Sequence, residues 1–414
     1  MHIDTLISQI DAYLQDNYDT YLTMLQKMVG INSYTGNIAG IKQLAEFTAA
    51  QFAPLGFTPH YHDAYDPVYG QHLVLTKEGK TAQTVAFVTH LDTVFTAEEE
   101  RINNFHWRPE GNKLYGPGTV DIKGGTVLIY MLLSAIKHTA PTLFHNTRWV
   151  ILCDSLEETS GIGFRDLTEQ YLDPEQTAAC LVFEGGRRRQ DEYWIVTARK
   201  GMAVFELLVH GRAAHAGAAP HHGANAVVQL AELIPKIHAF NDPQRDLTFN
   251  VGPIEGGTVV NRVPHFARAE IEMRAFDAQA YQDGLNQMLA LNGYSSVKSP
   301  IDGFPCRVEV NVYRSMPAWP PNPATNKLAA IWEEACHHLG FICHHEHRGG
   351  LSDGNHIWDY VPTLDGLGPH GNNAHCSERT ADGTKDQEYA TADSFIPKTI
   401  LNTLSIINLL TDDN

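Results

Sequence analysis

The sequence predicts an α/β protein that carries a second, smaller domain as an insertion. Short continuous apolar runs alternate with helical patterns over residues 1–199, as in a sheet covered on both faces. At about Lys200 the pattern changes to half-exposed alternating strands in the order β-α-β-β-α-β, the signature of a split βαβ unit. A proline-rich join from Met316-Pro317 to Pro323 then returns the chain to a helix and to the α/β pattern. Residues 1–199 and 316–414 are therefore expected to form one domain, and residues 200–315 a domain inserted into it.

The elements follow in order. Residues up to Val29 alternate at helical spacing, with Leu22, Leu25, Met28 and Val29 on one side, and predict one surface helix. A second helix spans 40–52 and stops before Pro54. Strands are expected at 72–77 and 84–89, the latter a buried run of Val85, Ala86, Phe87 and Val88 that leads into His90 and Asp92. A glycine-rich turn then delivers Asp121 ahead of an apolar helix at 125–137. Strands at 148–153 and 179–183 flank a helix at 161–171. In the insertion, strands at 202–210, 246–254, 266–275 and 307–313 frame helices at 224–240 and 277–291. The 266–275 strand alternates cleanly, with Arg268, Glu270, Glu272 and Arg274 on one face and Ala269, Ile271 and Met273 on the other. A helix at 324–339 and a strand-like VPTLDGL complete the α/β pattern.

Composition removes several function classes. A formal net charge of -18 argues against a nucleic-acid surface. The longest apolar run, near residues 127–133, is too short to cross a membrane, and the acidic N-terminal stretch is not expected to be a signal peptide. Six scattered cysteines without a Cys-x-x-Cys pair point to buried thiols in a reducing, cytoplasmic setting. Most of the 22 histidines, including His221-His222, His337-His338 and His344-His345, are expected to be solvated in helical or exposed contexts, and the Arg187-Arg188-Arg189 run to be a solvated loop.

Chemistry concentrates where strands end. His90 follows one buried strand, Glu157 and Glu158 follow another, and Glu184 follows a third directly. Asp121 lies on its glycine-rich turn at a helix start. In open α/β sheets such ends converge on one crevice. A His-x-Asp pair after a strand is by itself ordinary loop polarity, but several carboxylates gathered together repel one another unless cations sit among them. One histidine with three or four carboxylates suits zinc, and a carboxylate can bridge two ions. Late in the chain GLGPHGNNAHCSERT carries His370 and His375, of which His375 is the candidate last ligand.

Taken in order, HLDTVF, YGPGTVDIKGG, the Glu157-Glu158 pair, FEGG, GRAAHAG and AHCSE resemble the two-zinc exopeptidases and deacylases. That family includes bacterial glutamate carboxypeptidase, acetylornithine deacetylase and succinyl-diaminopimelate desuccinylase. The resemblance covers almost the whole chain. It implies an α/β catalytic domain with a central mixed sheet, a ferredoxin-like inserted lid and a homodimer formed through that lid.

The resemblance also implies roles. His90 and Glu184 would bind one zinc, Glu158 and His375 the other, and Asp121 would bridge them. Asp92 would orient His90, and Glu157 would be the general base, a choice between the adjacent glutamates that spacing alone does not make. Zinc is expected at two ions per subunit, with cobalt or manganese as substitutes. In the lid, His215 would polarise the scissile carbonyl, while Asn261 and Arg274 would hold polar groups of the substrate; a guanidinium pairs with a terminal carboxylate bidentately. The loop GGLSDGN offers further backbone N–H groups to an anion. One departure is Leu156, where many relatives carry Asp, and no cysteine stands at a ligand position as in the aminoacyl-conjugate hydrolases. The expected activity is that of a metallopeptidase, an exopeptidase acting on a C-terminal amino acid of a small peptide, closest to glutamate carboxypeptidase. An N-acyl amino acid deacylase is the alternative. A catalytically silent binding protein would require a lost ligand or base, and none is missing.

Overall fold

The structure, a computed structural model, describes residues 3–159 and 161–411. The chain divides into two compact units: Met1–Thr197 with Pro321–His347 and Ser352–Asn414, and Ala198–Pro320 with Arg348–Leu351.

The first unit is built on a six-stranded mixed sheet. Its spatial order is Thr58–His62, His72–Lys77, Arg148–Asp154, Thr84–His90, Thr177–Val182 and Thr363–Leu364. The last four run parallel, and His72–Lys77 is antiparallel to both its neighbours. Every residue of Thr84–His90 is buried, which explains its unbroken apolar run. Of the strands of this sheet, the next in sequence, Arg148–Asp154, lies on one side of it, and the one after, Thr177–Val182, crosses to the other. Such a reversal opens a crevice at the carboxyl ends of the strands, and His90 and Asp154 are register partners at that edge. The Lys123–Thr139 helix is buried along most of its length, and Leu128, Leu132 and Ile136 pack into the core with Phe87 and Ile151.

The second unit is an antiparallel sheet in the order Thr248–Gly256, Phe266–Ala275, Gly201–His210 and Arg307–Met316. With the helices Ala226–His238 and Ala278–Leu289 this is the ferredoxin-like order expected of the insertion. Phe266–Ala275 alternates half-buried and buried residues throughout, and its inner face of Ala269, Ile271 and Met273 meets Leu230, Leu233 and Met288. Asn225 caps the first helix by accepting from the amides of Val227 and Val228, and Asp277 caps the second at Ala280.

Several local expectations are corrected. The N-terminal helix is two, Ile3–Asp16 and Tyr18–Val29, broken at Asn17, whose amide side chain donates to the carbonyl of Tyr13 at 2.8 Å. The helix expected from residue 161 starts at Phe164, because Gly161 and Gly163 hold φ of 55° and 88°. Arg187–Arg189 is a short strand rather than a loop, with the Arg187 guanidinium over the Trp194 ring. His344 and His345 sit on the strand Ile342–Arg348, and His344 stacks on Trp194 with 4.7 Å between ring centroids. Among the described residues, no helix is long and apolar enough to cross a membrane.

Candidate active site

His90, at the end of its strand, is 2% exposed. Its Nδ1 lies 2.9 Å from the backbone carbonyl of Asp92 and 3.5 Å from Asp92 Oδ1. A carbonyl only accepts, so Nδ1 carries a proton toward Asp92, and Nε2 is the ring nitrogen that faces Asp121. Asp92 thus orients His90 chiefly through its main chain, while its Oδ2 accepts from Thr35 Oγ1 at 2.8 Å and from the amide of Glu158 at 3.2 Å. One buried residue thereby ties the His90 strand to the loop that carries both glutamates.

The turn carrying Asp121 is fixed by glycines at the head of the long helix. A Cβ on Gly124 would lie 2.2 Å from the Thr119 carbonyl, and one on Gly125 would lie 2.2 Å from the carbonyl of Phe183. The second contact seats this helix directly against the residue before Glu184, which is why two glycines follow Lys123. The Asp121–Ile122 peptide is cis.

Asp121 stands between two groups. Its Oδ1 is 3.1 Å from His90 Nε2 and its Oδ2 is 3.2 Å from His375 Nε2. Glu184 Oε1 lies 3.8 Å from His90 Nε2, and Glu158 Oε2 lies 3.1 Å from His375 Nε2. The result is two triads, His90–Asp121–Glu184 and Asp121–Glu158–His375, each with ligand atoms within 4.8 Å of one another. Glu157 belongs to neither triad.

The electrostatics report a site short of positive charge. Burial alone would lower the His90 imidazole, but the carboxylates of Asp121 and Asp92 outweigh it and hold its pKa well above the ordinary value. Asp121 and Glu158 push His375 up to about 11. Burial would raise Asp121, yet the two imidazoles hold it below the carboxylate range. Glu157 is pushed well up by burial and then by Glu184, Glu158 and Asp121, against the pull of His90. Four carboxylates facing two imidazoles are not balanced even when both rings are protonated. Imidazole nitrogens and carboxylate oxygens in two triads with one shared member are a donor set that fits two divalent cations.

His215, Asn261 and Arg274 all belong to the second unit. His215 is exposed, and its Nδ1 accepts from the amides of Gly217 at 3.2 Å and Ala218 at 3.0 Å, so the ring proton sits on Nε2. The amide of Ala216 donates to the Asn261 carbonyl at 2.9 Å, which brings those two segments together. Arg274 is engaged within the unit: Nε meets Glu272 Oε1 at 2.5 Å and Nη1 donates to the Gly349 carbonyl at 2.7 Å. Arg199 donates to the carbonyls of Gly350 and Leu351, so two arginines secure this glycine loop through its carbonyl groups. His370 stays out of the triads, with Nδ1 3.2 Å from the Gly186 carbonyl.

Asp353 and Glu388 are among the buried acids that were not read from the sequence. Asp353 is hydrogen-bonded to Asp154 and pushed well up by burial and by the charges of Asp154 and Glu157, while Asp154 itself pairs with His72 at 2.9 Å. Glu388 accepts from the amides of Val120 and Asp121. The one signal for either was an acid beside short apolar or glycine-containing stretches, SDGN and QEYA.

Residues 197–292 match the family model described as Peptidase dimerisation domain. The chain is 27% identical over 365 residues to carboxypeptidase G2 of Pseudomonas sp. strain RS-16, covering 87% of this chain and 84% of that one. In fold it is similar to aminopeptidase PepT from Bacillus cereus, with a TM-score of 0.72 at 20% identity over 94% of this chain and 98% of that one. It is also similar to YXEP of Bacillus subtilis, described as a dinuclear metal binding peptidase from the M20 family, with a TM-score of 0.66 at 12% identity over 95% and 99% of the two chains. The protein is a hydrolase of the peptidase class. The resemblance read from the sequence holds over most of its length, with carboxypeptidase G2 among its relatives.

Proposed function

We propose that this chain is a dizinc exopeptidase that releases the C-terminal amino acid of a small peptide or N-acylated substrate. The observation that carries the reading is Asp121, which turns one carboxylate oxygen to each of two His–carboxylate groups. His90, Asp121 and Glu184 would hold one zinc, and Asp121, Glu158 and His375 the other. When bound, the two ions supply Lewis-acid polarisation of the scissile carbonyl and of the attacking water. Glu157 takes a proton from that water and returns it to the leaving nitrogen as the C–N bond breaks. The cause of its raised pKa is burial among anions, and positive charge held at the triads would favour its basic form. His215, a fixed Nε2–H donor, stabilises charge that develops on the carbonyl oxygen. Asn261 and Arg274 orient the substrate. Cys153, Cys180, Cys306, Cys336, Cys343 and Cys376 are free thiols, which supports a cytoplasmic setting.

A panel of N-acylated dipeptides and N-acetyl amino acids, with free or amidated carboxyl ends, tests the reading in zinc-loaded protein. Turnover is expected on peptides with a free C-terminal carboxylate. Turnover confined to N-acetyl or N-succinyl amino acids would replace the peptidase with a deacylase. In the same panel Arg274→Ala should cost about 2–5 kcal/mol in kcat/KM on free-carboxylate substrates and far less on amidated ones. Equal losses on both would reduce Arg274 to its observed task of securing Gly349.

The matched dimerisation domain supports a homodimer, and in it His215 would act on the neighbour's site. His215→Ala and Glu157→Ala are each expected to be nearly inactive. Refolded together, they form mixed dimers in about half of the molecules, and each mixed dimer regains one complete site, about a quarter of all sites. Absence of any recovery would assign His215 to its own chain.

A further inference from the structure

Two loops carry the ligands that meet between the triads, and one residue outside the ligand set touches both. Glu388 is fully buried. Its Oε1 accepts from the amide of Val120 at 3.0 Å and from that of Asp121 at 3.2 Å. These amides lie just ahead of the Lys123–Thr139 helix, where no earlier helical turn supplies acceptors. The main chain of Glu388 joins the two loops: its amide donates to the Cys376 carbonyl at 2.8 Å on the His375 side, and its carbonyl accepts from the amide of Gly116 at 3.4 Å on the Asp121 side. Gln387, also buried, adds a second fastening, with Nε2 donating to the carbonyls of Ser377 at 2.8 Å and Asn103 at 2.9 Å. The loop so held contains His375 at φ 65° and Asn373 at φ 63°. Asparagine enters that left-handed region readily, whereas a histidine held there reflects a backbone that its surroundings impose.

We propose that Glu388 is the positioning residue of the dinuclear centre, setting the Asp121 turn and the His375 loop in one register so that the bridging carboxylate meets both imidazoles. It belongs to neither triad, and its side chain accepts from backbone amides, so it acts through the main chain. An aliphatic side chain there would leave two amides without their buried acceptor, and a shorter acid would fall short of them. The turn would then relax, and Asp121 would leave the place where its two oxygens face His90 and His375.

This inference rests on the dinuclear reading of the site, and the experiment separates the two. Metal-depleted full-length wild type, Asp121→Ala, Glu388→Ala, Glu388→Asp and Glu388→Gln are titrated with Zn²⁺ against a chromophoric chelator, and the visible absorption of the Co²⁺-loaded proteins is recorded. Glu388→Ala and Glu388→Asp should bind both ions about 10- to 100-fold more weakly, the usual effect of losing a group that orients metal ligands, with a weakened and shifted Co²⁺ band. Glu388→Gln keeps an acceptor oxygen at the same reach and should stay close to wild type in both readouts. Wild-type affinity and spectrum in Glu388→Asp would overturn the proposal, whether or not Glu388→Ala folds. A loss in Glu388→Gln as large as in Glu388→Asp would overturn it too, since the acceptor oxygen is what the amides require. If wild type takes up fewer than two ions, or Asp121→Ala retains two, the dinuclear reading itself fails.

Discussion

Glu157→Gln is expected to lose about three or more orders of magnitude in turnover while keeping both ions and its affinity for substrate. The amide is nearly the size of the carboxyl, so the loop that continues into Glu158 keeps its course. It can neither take a proton from water nor return one to the leaving nitrogen, so both halves of the proton transfer fail together. Glu157 lies outside both triads, so metal content should not change. Steady-state kinetics beside metal analysis of the same preparation checks this outcome. Near-normal turnover would move the base elsewhere, and a lost ion would make Glu157 a ligand.

Asp121→Ala is expected to empty both metal positions, because one carboxylate serves two groups. His90→Ala and His375→Ala should each weaken mainly one position, leaving a protein that retains a single ion. The contrast follows from the contacts: His90 meets Asp121 Oδ1 and Glu184, whereas His375 meets Asp121 Oδ2 and Glu158. Metal analysis after dialysis against metal-free buffer distinguishes the three variants. Two tightly held ions in Asp121→Ala would show that the bridge is misassigned.

What could be read in advance followed from periodicity. Val85 to Val88 reads as a buried strand because each residue is apolar, and His90 matters because a parallel strand ends there. The inserted unit was legible because Phe266–Ala275 has one wet face and one dry face. The break at Asn17 was hidden because the helical spacing of apolar residues runs on through it, and only the bond from its side chain to Tyr13 shows the turn. Glu388 and Asp353 were hidden for another reason. Their partners are backbone amides more than 260 residues away in one case and a buried acid in the other, and no local pattern encodes such pairing. The Nδ1 partner of His90 was out of reach in the same way: the sequence offers the Asp92 carboxylate, but the nearest acceptor is the carbonyl of that residue.

The division into two units places the proposed metal ligands and the residues proposed to meet the substrate in separate stretches of the chain. His90, Asp121, Glu157, Glu158, Glu184 and His375 all lie in the first unit, and His215, Asn261 and Arg274 in the second. Mutations in the inserted segment leave the ligand set itself unaltered, so selection can revise the residues proposed to meet the substrate without rebuilding the hydrolytic centre. Gene duplicates can then diverge in what they cut while inheriting the same means of cutting it.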